Sequence, residues 1–427
     1  MENSFIQQKI LQILERSMTR IAERSGKKEY PFIDTKFDIV SDRNFDENDE
    51  PFRQKSCIYS WIQGRGLESL AKHILFFEAQ KNRLLADQLK EILKNVTDAM
   101  EELRQKNAGS LPFAMTPDGN SFFTAKSGHA NFSDLFYSKG LIYSSHLLKN
   151  EKRFQEGKQL FLKVLEAIDK QTFRTDQQSF DPKNPVAFVP GKFPQGPRMI
   201  ALGGLADLME LEVGNPLWEE YAERFIRFIV KYHINTGEYT QLQKFDFIES
   251  LNNDLQPWCD GDVLFSDPGH ALEFIGLAGK CLLTMRKNGK QQALITELSS
   301  ILPELFCHIF DYGFNQHADG ICKGFDLNSR KAVNSDMPWW NLPETVRAGA
   351  ELTALYPSHR AADAVKHKTR LAFKAFCDRF LMQNGFGCQT RAEDGSIINV
   401  IPAVSDADPG YHTNLSLIDV LQLIQNP

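Results

Sequence analysis

No two cysteines stand in C-x-x-C spacing, and the seven present (Cys57, Cys259, Cys281, Cys307, Cys322, Cys377 and Cys388) are scattered and odd in number. That argues against a disulfide framework or a structural zinc site and suits reduced thiols in a cytoplasm. No basic run stands out and the net charge is −6, which argues against a nucleic-acid partner. No apolar run approaches the roughly 18 residues of a membrane span. The start, Met1 to Phe5, lacks the charged-then-apolar order of a signal peptide. No P-loop or G-x-G-x-x-G occurs, so any nucleotide would use an unfamiliar site. Cys307-His308 with Cys322 lacks ligand spacing, and His270 with Glu273 is not an H-E-x-x-H pattern, so neither a metal nor a cofactor is expected.

What is present is a helix-former's sequence. Hydrophobic content of 42% and charged content of 24% suit a soluble globular chain with a large core. Ile6, Ile10, Leu11, Leu14, Met18 and Ile21 mark an amphipathic helix over residues 3–24,. An acidic loop follows, then an apolar helix after Gly64-Arg65-Gly66 and another over 82–106. Phe122-Phe123-Thr124 reads as a short strand. Further helices are expected over 134–148, 153–170, 197–211, 218–233, 268–285, 291–309, 338–355, 360–382 and 413–424.

Every second helix is introduced by a distinctive turn: Gly64-Arg65, Phe132-Ser133-Asp134, Gly196-Pro197, Pro268-Gly269-His270, Trp339-Trp340 and Gly410-Tyr411-His412. These recur at roughly 63–72 residues, a period that suggests six repeated helical hairpins. Six hairpins closed on themselves make an all-α (α/α)6 barrel of about twelve helices, with short β-hairpins in the rim loops. An open solenoid is the alternative; aromatic and charged residues at the inner-helix starts favour closure, because they would converge on one mouth. No internal linker shows, so residues 1–427 are expected to form a single domain.

Within that frame, Asp267 can cap a helix begun by Pro268 and Gly269. His270 and Glu273 then lie three apart in its first turn, on one side of it. A histidine with a carboxylate neighbour suits proton transfer near neutral pH; a packed histidine in a capped turn is the plain alternative. Asp408-Pro409-Gly410-Tyr411-His412 repeats the arrangement. Removing a proton from one face of a carbon and returning one to the other needs two such groups. Trp339, Trp340 and Glu344 form a third constellation, suited to stacking on a sugar and binding its hydroxyls, or else to core packing. Arg65 suits polarising an enediolate oxygen, or a structural ion pair. His73, His146, His233, His308, His359 and His367 lie in or at the ends of helical runs and are read as structural or surface.

These motifs resemble the N-acylglucosamine 2-epimerase superfamily. Pro268-Gly269-His270-Ala271-Leu272-Glu273 is similar to its P-G-H-x-L-E segment, Trp339-Trp340 with Glu344 to its W-W-x-x-x-E, and His412 to its late histidine; Arg65 matches the arginine of the first inner helix. The resemblance spreads over about residues 30 to 425. It implies an (α/α)6 barrel, no redox cofactor, and a sugar whose C2 proton is removed by one histidine and returned by another through an enediolate. Carried over, His270 and His412 are the acid/base pair, Glu273 orients His270, Arg65 steadies the enediolate, and Trp339, Trp340 and Glu344 hold the sugar. The family's tyrosine on the second inner helix corresponds to Phe136, with Tyr137 beside it. Where several branches have N-P-H-M-H, this chain reads Gly196-Pro197-Arg198-Met199-Ile200; Arg198 there suggests a substrate with an anionic group. The expected partner is a small carbohydrate, with a homodimer allowed for. The alternatives are an aldose–ketose isomerase, a glycoside hydrolase or lyase using Glu273 with Glu344 or Asp336, and a non-catalytic binding protein.

Overall fold

A computed structural model describes residues 2–122, 128–178, 188–398, 400 and 404–425. Thirteen α-helices run through the described residues: α1 (Glu2–Arg24), α2 (Ser60–Ala79), α3 (Arg83–Lys106), α4 (Phe132–Leu147), α5 (Glu151–Asp169), α6 (Gly196–Leu211), α7 (Pro216–His233), α8 (Pro268–Lys287), α9 (Gln292–Leu298), α10 (Leu302–Gly313), α11 (Asn341–Leu355), α12 (Ala362–Ala375) and α13 (His412–Gln425). The strands are short and pair antiparallel. They are β1 (Ile58–Tyr59) with β2 (Ala114–Met115), β3 (Phe193–Pro194) with β4 (Ser250–Leu251), and β5 (Cys259–Asp260) beside β6 (Val263–Ser266). Then come β7 (Phe314–Asn315) with β8 (Gly320–Ile321), β9 (Gly324–Asp326) with β10 (Lys331–Asn334), and β11 (Met337–Pro338) with β12 (Thr390–Arg391). The expected strand at Phe123 and Thr124 lies outside the described residues.

The chain falls into two compact units: residues 1–188, 382–386 and 401–418, and residues 189–381, 387–400 and 419–427. In the first, α2 packs on α4, and α3 and α5 back them. Helix α2 is buried nearly all round, and α3 shows one apolar face of Leu85, Leu89, Ile92, Leu93 and Val96. An all-round apolar helix belongs inside a core and a one-faced helix outside it. Each large aliphatic side chain buried on such a face contributes about 1.5–3 kcal/mol. In the second unit α6, α8 and α11 have the inner character, and α7, α10 and α12 cover them. A four-stranded sheet, in the order β10-β9-β6-β5, lies in this unit.

Four boundaries differ from the sequence expectation, each for a local reason. Gly64-Arg65-Gly66 is not a turn but the second turn of α2. A Cβ on Gly64 would lie 2.6 Å from the Phe136 carbonyl carbon, and one on Gly66 would lie 2.7 Å from the Ile33 side chain; these glycines admit neighbours. The single helix expected over 291–309 is broken into α9 and α10, with Pro303 in the first turn of α10, where its missing N–H costs nothing. Helix α11 starts at Asn341 because Met337 and Pro338 are engaged with β12. Helix α12 gives way to a π-helical turn at Phe376–Phe380. Contrary to the reading of the sequence, Gln292–Gly313 is apolar and long enough to pass for a membrane span, although half of it is buried. Leu294, Leu298, Leu302, Leu305, Phe306 and Ile309 lie in the core, and a core helix passes the same test.

Candidate active site

The turn at the start of α8 is built on Asp267. Its Oδ1 accepts from the N–H groups of Gly269 and His270 at 3.1 and 3.3 Å, which satisfies two donors that a helix start leaves without partners. Pro268 occupies the first helical position, and β6 delivers the chain into the turn. Gly269 is set by its neighbour: a Cβ there would lie 2.1 Å from Asn341 Oδ1 at the start of α11. Asn341 in turn donates to the Ile321 carbonyl at 2.9 Å. The P-G-H and W-W-N segments are thus one packed feature.

His270 is the third residue of α8, with its side chain 29% exposed. Its Nδ1 lies 2.9 Å from Glu249 Oε1 and 3.2 Å from Asp267 Oδ2. Carboxylates only accept, so Nδ1 carries the hydrogen and Nε2 is left to face outward chemistry. The ring of Trp340 stacks on the imidazole, with centroids 5.4 Å apart and planes 28° from parallel. Lys323 donates to Asp267 Oδ2 at 2.5 Å and lies 5.1 Å above the Trp340 ring. Burial alone would lower the His270 pKa, but the Asp267 and Glu249 carboxylates outweigh it and Lys323, leaving the net shift upward.

The other expected residues of this unit are placed differently. Glu273 is buried, and its charge is among those holding Arg347 protonated; burial opposes that charge, while Glu344, Asp419, Glu273 and Glu351 favour it. Glu344 is ion-paired with Arg347 within α11. The carboxylates on His270 Nδ1 are Glu249 and Asp267, not the Glu273 expected from helical spacing. Trp339 is buried against Gly387, where a Cβ would fall 2.6 Å from its indole ring. Arg198 is buried, and its guanidinium lies 3.7 Å from the centroid of Phe228 on α7. That stacking turns the cation toward the outer helix, and the expectation of anion binding finds no support in it.

In the first unit, Arg65 lies 4.1 Å from the Phe136 ring centroid and 5.4 Å from that of Tyr411. Phe136 is therefore the ring beside Arg65. Tyr137 is fully buried and donates to Glu101 Oε1 at 2.6 Å, so its hydroxyl is committed to α3, away from Arg65. Asp408 caps α13, accepting from the N–H groups of Tyr411, His412 and Thr413 at 2.8, 3.3 and 3.0 Å. The His412 ring stands edge-on to Tyr411 at 5.1 Å. Buried Lys139 donates to the Tyr411 hydroxyl at 2.6 Å and pairs with Glu68 at 3.2 Å.

Two histidines are structural, as their helical positions suggested. His73 donates from Nδ1 to the Ser69 carbonyl at 2.7 Å and accepts at Nε2 from Asn414 at 3.1 Å; burial pulls its pKa down to about 4. His233 donates to the Ile248 carbonyl at 2.8 Å, and burial lowers it to about 3. Sequence reasoning missed Glu249, Lys323 and Lys139. No local signal marks them: Glu249 is 21 residues from His270 and Lys323 is 56 from Asp267.

Paired inner and outer helices define an all-α architecture, the (α/α)6 barrel, and solved structures share this fold over the whole chain. Cellobiose 2-epimerase from Spirochaeta thermophila aligns over 100% of this chain and 98% of its own, with a TM-score of 0.71 at 11% identity. A sugar epimerase from a ruminal bacterium aligns over 99% of both chains, with a TM-score of 0.72 at 12% identity. A D-mannose isomerase aligns over 97% of both, at 0.69 and 12% identity. No curated protein matches by sequence. The family model of N-acylglucosamine 2-epimerase matches residues 64–413. The chain belongs to that family, and is by that membership a carbohydrate epimerase or isomerase.

Proposed function

We propose that the protein is a sugar 2-epimerase that exchanges the C2 proton of an aldose or N-acyl-hexosamine through an enediolate. The observation that carries this reading is the state of His270: one tautomer, held at Nδ1 by carboxylates and stacked on Trp340. Such an imidazole can take a proton at Nε2 and share the resulting charge with its neighbours. His412 is the second acid/base group, returning a proton to the opposite face. Arg65, set among aromatic rings, steadies the enediolate oxygen, and Glu344, Trp339 and Trp340 hold the sugar. Neither step calls for a cofactor. The seven cysteines, none of them in a disulfide, support a cytoplasmic setting.

The test is a panel of mono- and disaccharides incubated in deuterated water and read by NMR at C2. Deuterium at C2 with a C2 epimer as product supports the proposal. A ketose product moves the assignment to an aldose–ketose isomerase, the second reading, which the mannose isomerase likeness favours. No exchange on any sugar removes both.

A further inference from the structure

We propose that Glu249 is the positioning residue that sets the basicity of His270, and that Lys323 opposes it by neutralising Asp267. This rests on His270 being the acid/base group of the proposed reaction.

The two carboxylates on Nδ1 are not equivalent. Asp267 has its Oδ1 engaged by two backbone N–H groups of the helix start and its Oδ2 by the Lys323 ammonium at 2.5 Å. Its negative charge is answered where it stands, in a buried cap. Glu249 makes the shorter contact to the ring, 2.9 Å against 3.2 Å. Its other oxygen, Oε2, is buried without a hydrogen-bond partner among the described residues. Among the described residues no cation is paired with it, so the charge of Glu249 acts on the imidazole undiluted.

The backbone explains how Glu249 comes to be there. Its N–H donates to the Phe265 carbonyl of β6, and its carbonyl accepts from Gln195 N–H. The residue is thereby fixed between β6 and the start of α6. Lys323 is brought to Asp267 by the pairing of β9 with β6, in which Ser266 faces Phe325. Other charged groups nearby have partners of their own. On α11, Glu344 is paired with Arg347; on α6, Arg198 lies on Phe228 beside His233; Glu273, on the same helix as His270, acts on Arg347. Tyr312 of α10 bonds to Ser266, and Cys322 lies beside Asp267.

The test is the titration of His270 in the substrate-free protein, followed by NMR of labelled histidine with His270→Asn as the assignment control. Glu249→Gln keeps an acceptor of the same shape and removes the charge. It is expected to lower the His270 pKa by about one unit or more, as loss of a close opposite charge does. Lys323→Gln is expected to raise it. In turnover, the acid limb of kcat should move to lower pH in Glu249→Gln, with kcat reduced about 10- to 100-fold, as for other partners that orient a functional histidine. An unmoved or raised His270 pKa in Glu249→Gln, or a lowered one in Lys323→Gln, overturns the proposal. Because the titration needs no substrate, its result stands apart from failure of the epimerase assignment, which would show as absent C2 exchange with the titration shifts intact.

Discussion

The chain makes the Asp-Pro-Gly turn twice, once in each compact unit, and the two copies solve one problem differently. In Asp267-Pro268-Gly269-His270, glycine is needed for space: Asn341 occupies the place of a Cβ. In Asp408-Pro409-Gly410-Tyr411-His412, glycine is needed first for its backbone, with φ at +82°, a region costly for residues with a side chain, and a Cβ there would also lie 2.9 Å from Ser69 Oγ. The second turn has one residue more, and its Asp408 takes three N–H groups instead of two. The cap of the first turn also holds a lysine and an imidazole on its second oxygen; both oxygens of Asp408 face the helix start. Both turns set a histidine in the first turn of an inner helix. Around His270 the first turn gathers Glu249, Asp267 and Lys323.

The comparison breaks first at the histidines. His270→Asn and His412→Asn are each expected to cut C2 proton exchange by about 10²- to 10⁴-fold, the range of general acid–base catalysis, with folding intact by circular dichroism. If one substitution leaves exchange in place, that turn is scaffold only.

A second contrast pairs the two buried structural histidines. His73 titrates at about 4 and His233 at about 3 in the folded protein, against about 6.5 when unfolded. Both are depressed, so the unfolded chain takes up protons first as the pH falls below about 6.5. Stability should then drop until about pH 4 for His73, by on the order of 3 kcal/mol. Denaturant melts between pH 7 and 4 measure this, and His73→Gln should flatten part of the slope. A slope unchanged by that variant would assign the acid sensitivity elsewhere.

Gly269→Ala should destabilise by about 1–3 kcal/mol through the collision with Asn341, and Asn341→Ala should relieve it. Gly410→Ala should cost about 1–2 kcal/mol through its backbone angle, with no such rescue. Denaturant midpoints of the double variant separate space from backbone. Glu273→Gln should reduce turnover less than either histidine variant, since Glu273 neighbours Arg347 rather than Nδ1. A loss equal to that of His270→Asn would give Glu273 a direct part. The smallest effect is expected for Asp408→Ala, about 1 kcal/mol from the lost cap, read as a thermal shift with His412 chemistry retained.

Much of this was open to reading from local pattern. Helical spacing in Leu85 to Val96, the cap at Asp267 and the proline–glycine turn before His412 are short-range facts, and they placed α3, α8 and α13 to within a few residues. What failed was where a distant partner decides. Gly64 and Gly66 read as a turn but are close-approach positions, because their neighbours Phe136 and Ile33 are not adjacent in sequence. Tyr137 and Phe136 are interchangeable in sequence; packing sends the hydroxyl to Glu101 and leaves the plain ring beside Arg65.

The sequence by itself determined the hairpin period, the helix starts, the histidines in their first turns and the family to which those motifs point. These depend on spacing and on side chains that reach their own backbone. Only the tertiary structure decided which carboxylates hold His270. Glu273 is three residues away along the helix, but Glu249 and Lys323 arrive through pairing with β6 and β9. A partner brought by strand pairing leaves no periodic trace in the chain.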